Sequence, residues 1–124
     1  MKVLALDYGS ARTGVAVSDP TGTLARPVTT VAKVDEPAGW KQLLDVIRAE
    51  EPERIVVGLP LTLRGEHGAQ AAETDAFVER LRAAVAVPVE LYDERFTSVL
   101  AGGDDARAAA HLLSTYLEWL SAAR

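Results

Sequence analysis

No cysteine occurs among the 124 residues, which excludes a disulfide framework, a thiolate metal site and a cysteine nucleophile. Any metal must sit on oxygen or histidine ligands. Long apolar runs are missing too, none approaching the roughly 18 residues of a membrane-spanning helix. The opening Met1-Lys2-Val3-Leu4-Ala5-Leu6-Asp7 reaches an acid too early for a secretory signal, so the expectation is a cytoplasmic protein with no membrane partner. Positive charge is scarce as well. Thirteen Lys and Arg against eighteen Asp and Glu give a net charge of -5, the wrong sign for a protein that simply coats nucleic acid. A carboxylate cluster that loads divalent cations would lose much of that excess locally. The remaining composition, 48% hydrophobic and 25% charged, is that of an ordinary globular chain, read as one domain over residues 1–124.

Val3 to Asp7 is an apolar run closed by an acid, followed by a Gly-containing turn and the alternating segment Gly14 to Asp19, which together predict a β-hairpin. A second turn, Asp19-Pro20-Thr21-Gly22, leads to a third strand over Leu24 to Val31, whose Pro27 predicts an edge position. The period then changes. Trp40, Leu43, Leu44 and Ile47 share one helical face, behind Asp35 as cap and Pro37 as first-turn proline. Arg54 to Pro60, with Ile55-Val56-Val57, predicts a strand buried on both faces. A helix follows over about Ala69 to Ala84, then a fifth strand from Pro88 to Glu94, then a helix from Asp105 onward with Ala109, Leu112, Leu113, Tyr116, Leu117 and Leu120 on its apolar face. The order βββαβαβα predicts an α/β fold: a five-stranded mixed sheet flanked by helices, the later strands joined in parallel through right-handed crossovers.

Three acids stand at informative places. Asp7 ends the first, central strand, where a turn-forming Asp is the alternative. Glu94 lies in Asp93-Glu94-Arg95 at the end of the fifth strand, where a salt bridge to arginine is the alternative. Asp105 falls on the core-facing stripe at a helix start, while Asp104 is available as the cap. If the carboxyl ends of the first and fifth strands meet the start of the last helix, the three carboxylates converge and repel one another. Two hard cations about 3.5 to 4 Å apart are the usual reason for such a cluster, and they cut a phosphodiester with no protein nucleophile. Arg12 and Arg95 are the cations nearest these acids, placed to grip a phosphate or to pair within the cluster. Gly9 and Gly14 fit either a close phosphate or a plain turn. Trp40 and Trp119 read as packing residues rather than base-stacking platforms, and His67 and His111 carry no assigned role.

The segment Asp7-Tyr8-Gly9-Ser10-Ala11-Arg12-Thr13-Gly14-Val15-Ala16-Val17-Ser18-Asp19 resembles the opening motif of the YqgF (RuvX) family. Val56-Val57-Gly58-Leu59-Pro60, Asp93-Glu94-Arg95-Phe96-Thr97-Ser98, and Asp105 with Ala108-Ala109 and Leu113 to Leu117 follow in the family's order, so the resemblance spans nearly the whole chain. It implies a ribonuclease H-like fold, catalytic and metal-binding roles for Asp7, Glu94 and Asp105 with Asp93 as the alternative second ligand, and Mg²⁺ or Mn²⁺, two ions, as cofactor. It also implies a nucleic-acid substrate, in 5′-end maturation of pre-16S ribosomal RNA or, as the alternative, in cleavage of branched DNA resembling a Holliday junction. Only Val99 to Asp104 separate the Asp-Glu-Arg block from the last helix, where members usually carry a longer and often basic segment. A deletion or an omitted stretch accounts for this, and it bears on substrate contacts more than on metal ligands. A non-catalytic binding factor on the same fold stays as a rival, whereas an actin-like ATPase needs two such domains. Monomer and homodimer both remain open, and a symmetric resolvase requires the dimer.

Overall fold

Val3–Asp7 (β1) is apolar at both odd and even positions, and a strand of that kind must be covered on both faces. The computed structural model, which describes residues 1–59, 69–93 and 105–122, places it at the centre of a five-stranded sheet of order β3-β2-β1-β4-β5. Arg12–Ser18 (β2) pairs antiparallel with β1, and Ala25–Ala32 (β3) pairs antiparallel with β2. Arg54–Leu59 (β4) and Val89–Asp93 (β5) extend the sheet in parallel on the other side. The three parallel strands therefore bring their carboxyl ends, Asp7, Leu59 and Asp93, to one edge.

β3 is an edge strand, as Pro27 requires, and a register shift opposite Val15 and Ala16 marks a bulge there. Asp19 organises the turn before it, accepting the Thr21 hydroxyl and the N–H groups of Thr23 and Leu24. These bonds, the Thr21 hydroxyl first, hold its carboxyl pKa down at about 2.

Two helices cover one face. Pro37–Glu50 (α1) and Ala69–Ala84 (α2) bury Leu43, Ile47, Phe77, Val78 and Leu81 against Leu4, Leu6, Val15, Val17, Ile55 and Val57. The cap of α1 is Glu36 and not Asp35 as the sequence suggested: the Asp35 carboxylate accepts the Tyr8 hydroxyl at 2.6 Å instead. Trp40 packs edge-on to Phe77 with the Arg80 guanidinium 4.0 Å over its ring. Asp105–Ala122 (α3) covers the opposite face, burying Ala109, Leu112, Leu113, Tyr116 and Leu117 on Val3, Ala5, Ala16 and Val56. Small side chains on that face let α3 lie close to the sheet. Among the described residues no helix is long and apolar enough to cross a membrane.

The Tyr8 ring stacks on Phe77 at 4.4 Å, and burial followed by the bond to Asp35 raises its hydroxyl pKa well above the usual phenol range. Tyr116 is shifted the same way, by burial and then by its bond to Glu90. Both phenols ionise more easily in the unfolded chain, at about pH 10, so the stability they contribute is complete below that pH and lost as pH rises toward their folded values. Urea midpoints of the wild type should therefore fall more steeply between pH 9 and 11 than those of a Tyr8→Phe, Tyr116→Phe double variant. Parallel profiles would show that neither phenol is held neutral by the fold.

Candidate active site

Asp7 pairs across β1 and β2 with Gly14, so by strand alternation it lies on the α3 face with Val3 and Ala5. Asp105 opens α3 on that same face. The two meet through Gly14: a Cβ added there would stand 1.8 Å from the Asp105 carbonyl oxygen and 3.0 Å from the Ala106 nitrogen. Glycine at position 14 thus serves a backbone-on-backbone approach of helix to strand. Gly9 has a similar internal reason, since a Cβ there would lie 2.6 Å from the Arg12 carbonyl oxygen, and the buried Thr13 hydroxyl donates to the Gly9 carbonyl at 3.1 Å. Neither glycine needs a phosphate to explain it.

Arg12, the first residue of β2, reaches over the same edge, and its Nε lies 3.1 Å from Asp105 Oδ2. Asp7 is half-buried, and the Asp105 side chain keeps 29% exposure, so the edge stays open to water and ions. The α3 amino end also favours negative charge, because its first N–H groups point outward. Asp93 closes β5 opposite Leu59, at the same edge; Glu94, Arg95, His67 and the side chain of Asp93 lie outside the described residues. Within the described residues no group of three His, Cys, Asp or Glu is disposed to hold a metal, while the pair Asp7 and Asp105 is brought to one face. His111 sits mid-α3, away from this edge.

Sequence reasoning missed what fixes α3. Arg54 Nη1 donates to the Tyr116 hydroxyl at 2.9 Å and contacts Glu90 at 3.2 Å, and the Tyr116 hydroxyl donates to Glu90. The network ties α3 to β4 and β5 at the end of the sheet away from Asp105, and Tyr92 and Trp119 pack around the Tyr116 ring. Tyr116 was visible only as one member of an apolar stripe. Its hydroxyl, which needs a partner once buried, was the available signal.

A family model described as RuvX, Holliday junction resolvase, matches residues 1–119. The chain belongs to this family. Over 100 residues it is 45% identical to a relative from Roseiflexus sp. (strain RS-1) named "Putative pre-16S rRNA nuclease", covering 81% of this chain and 71% of that one. A relative of the same name from Sulfurihydrogenibium sp. (strain YO3AOP1) is 38% identical across 97% of this chain and 92% of its own. That alignment runs over 135 positions, more than the 124 residues available, so the RuvX relative has positions this chain lacks. Among solved structures, Fowlpox virus resolvase, determined with Holliday junction DNA, superposes with a TM-score of 0.62 over 97% of this chain and 99% of that one. At 12% identity the likeness establishes the fold, which is ribonuclease H-like.

Proposed function

We propose that residues 1–124 form a single RuvX-family nuclease domain that hydrolyses phosphodiesters with the help of divalent cations, acting in 5′-end maturation of pre-16S ribosomal RNA. The observation that carries this reading is the meeting of Asp7 and Asp105, remote in sequence, on one face of the sheet's carboxyl edge, with the Arg12 guanidinium standing as a cation between the chain and solvent. An all-oxygen donor pair beside a stand-in cation fits Mg²⁺ or Mn²⁺, and the crevice outside the carboxyl ends of parallel strands is the usual seat of ligands in open α/β sheets.

Asp7 and Asp105 are proposed as ligands, with Glu94 as the third. The choice of Glu94 over Asp93 is supported by the parity of β5: Val89 belongs to the α1 and α2 layer, whereas Tyr92 packs on Tyr116 of α3. Even positions of this strand are those that face α3. When bound, two such ions supply an activated water and stabilise the leaving oxygen. The chain's own part is to hold the carboxylates on rigid elements, a central strand and a helix start, and to present Arg12 and Arg95 to the phosphates flanking the cut.

Cleavage of branched DNA is the second reading, favoured by the description of the family model and by the resolvase fold. One assay separates the two. Pre-ribosomal RNA and a four-way DNA junction are each incubated with Mg²⁺, Mn²⁺ or chelator. The expected result is metal-dependent cutting of the RNA, with weak, salt-sensitive binding that the net charge of -5 dictates. Symmetric cutting of the junction with intact RNA would move the assignment to resolution. No cutting of either substrate in any divalent metal would leave only a binding role.

A further inference from the structure

The charge that balances Asp105 in this structure is supplied by Arg12, through the 3.1 Å contact of Nε with Oδ2. The two ends of that pair are held very differently. Asp105 is carried on a helix start whose backbone is pressed against Gly14, and its side chain is the less exposed of the two, at 29%. Arg12 has a fixed backbone, paired with Ala32 and braced by the bond from Lys33 N–H to the Ala11 carbonyl, but its side chain is 65% exposed and lies over the rim. Of the two partners, Arg12 is the one free to leave.

What would make it leave is competition for the carboxylate. An ion pair this exposed is weakly held. A divalent cation carries twice the charge and approaches a carboxylate oxygen to about 2.0 to 2.6 Å. Once Asp105 is so engaged, the guanidinium faces a like charge where its partner stood. Its tether keeps it at the rim, where the nearest available anion is a phosphate of bound nucleic acid, the group a guanidinium's planar fork suits best.

We propose that Arg12 is an exchange group: it neutralises Asp105 in the metal-free protein and transfers to a substrate phosphate when a divalent cation takes that carboxylate. This rests on the reading of Asp105 as a metal ligand. The exchange couples the two binding events, so that metal releases the phosphate grip and phosphate removes the competitor for metal. By linkage each then tightens the other.

Mn²⁺ is titrated calorimetrically into the full chain without nucleic acid, for wild type, Arg12→Gln and Asp105→Asn, and the arginine Nε–H resonances are followed during Mg²⁺ addition. Arg12→Gln should bind Mn²⁺ about two- to five-fold more tightly, the range expected from removing one exposed ion pair. Asp105→Asn should lose most of the affinity. The Arg12 Nε–H resonance of the wild type should move, on Mg²⁺ saturation, toward its position in metal-free Asp105→Asn. If Asp105→Asn loses the ion but Arg12→Gln is unchanged, or the Nε–H resonance stays in place, the exchange is wrong and the metal reading stands. Mn²⁺ affinity untouched by Asp105→Asn would remove the metal reading, and the exchange with it.

Discussion

Asp7→Asn should reduce RNA cleavage by about 10²- to 10³-fold or more, the scale seen when a group that stabilises developing charge is removed, while the fold survives. The side chain keeps its shape and its place on the α3 face of β1, so the packing of Val3 and Ala5 beneath it is undisturbed. What changes is charge. Asp7 is half-buried on the face it shares with Asp105, and like charges on one face repel. In chelator the variant should melt at the wild-type temperature or above it. Adding Mg²⁺ should stabilise the wild type more than the variant, because a ligand that binds only the folded state raises stability by mass action. Melting with and without metal, substrate affinity and cleavage rate on one RNA decide the matter. Undiminished cleavage by Asp7→Asn would place the chemistry elsewhere.

Gly14→Ala should damage both stability and activity, for a reason unrelated to conformational freedom. The new Cβ would fall 1.8 Å from the carbonyl oxygen and 2.3 Å from the carbonyl carbon of Asp105. Those are backbone atoms in the first turn of α3, which cannot rotate aside as a side chain would. Either α3 lifts at its amino end or β2 bends away from it, and overpacking of this kind costs about 1 to 3 kcal/mol. The displacement falls on Asp105 itself. A misplacement of about 1 Å at a reacting centre is enough for a loss of roughly 10²-fold. Urea unfolding and cleavage measured on the same preparation should therefore fall together, and crystals of the variant should show Asp105 shifted from β2. A stable and fully active Gly14→Ala protein would mean that α3 does not rest on β2 at this point.

The strands and helices were legible because their burial is local in its cause. β1 is apolar at every position before Asp7, so it must be central, and the stripe from Ala109 to Leu117 could only be a helix lying on that sheet. That Asp7 and Asp105 share one face was legible for the same reason, since each ends or opens an element whose direction the pattern gives. What stayed hidden depends on residues far apart in the chain. Asp35 looked like a helix cap until Tyr8, 27 residues earlier, claimed its carboxylate. Gly14 looked like a turn residue because its close neighbour, the Asp105 backbone, is contributed by the last helix. Arg54, Glu90 and Tyr116 come from three elements and carry no common motif. The choice between Asp93 and Glu94 had no local basis either, as a strand covered on both faces does not say which layer holds the site.

The seat of Asp105 on Gly14 also bears on when the protein becomes competent during synthesis. The chain emerges amino end first, and α3 follows all five strands in that order. β1, β2 and β3 are consecutive antiparallel neighbours, and they need only short loops to pair. Asp7 is thus in place early, yet its counterpart arrives only with α3, after β4 and β5 have been made and the long loop between residues 14 and 105 has closed. A nascent chain that still lacks α3 holds an incomplete version of the proposed centre. For a nuclease, that order of assembly ties competence to the docking of the last helix.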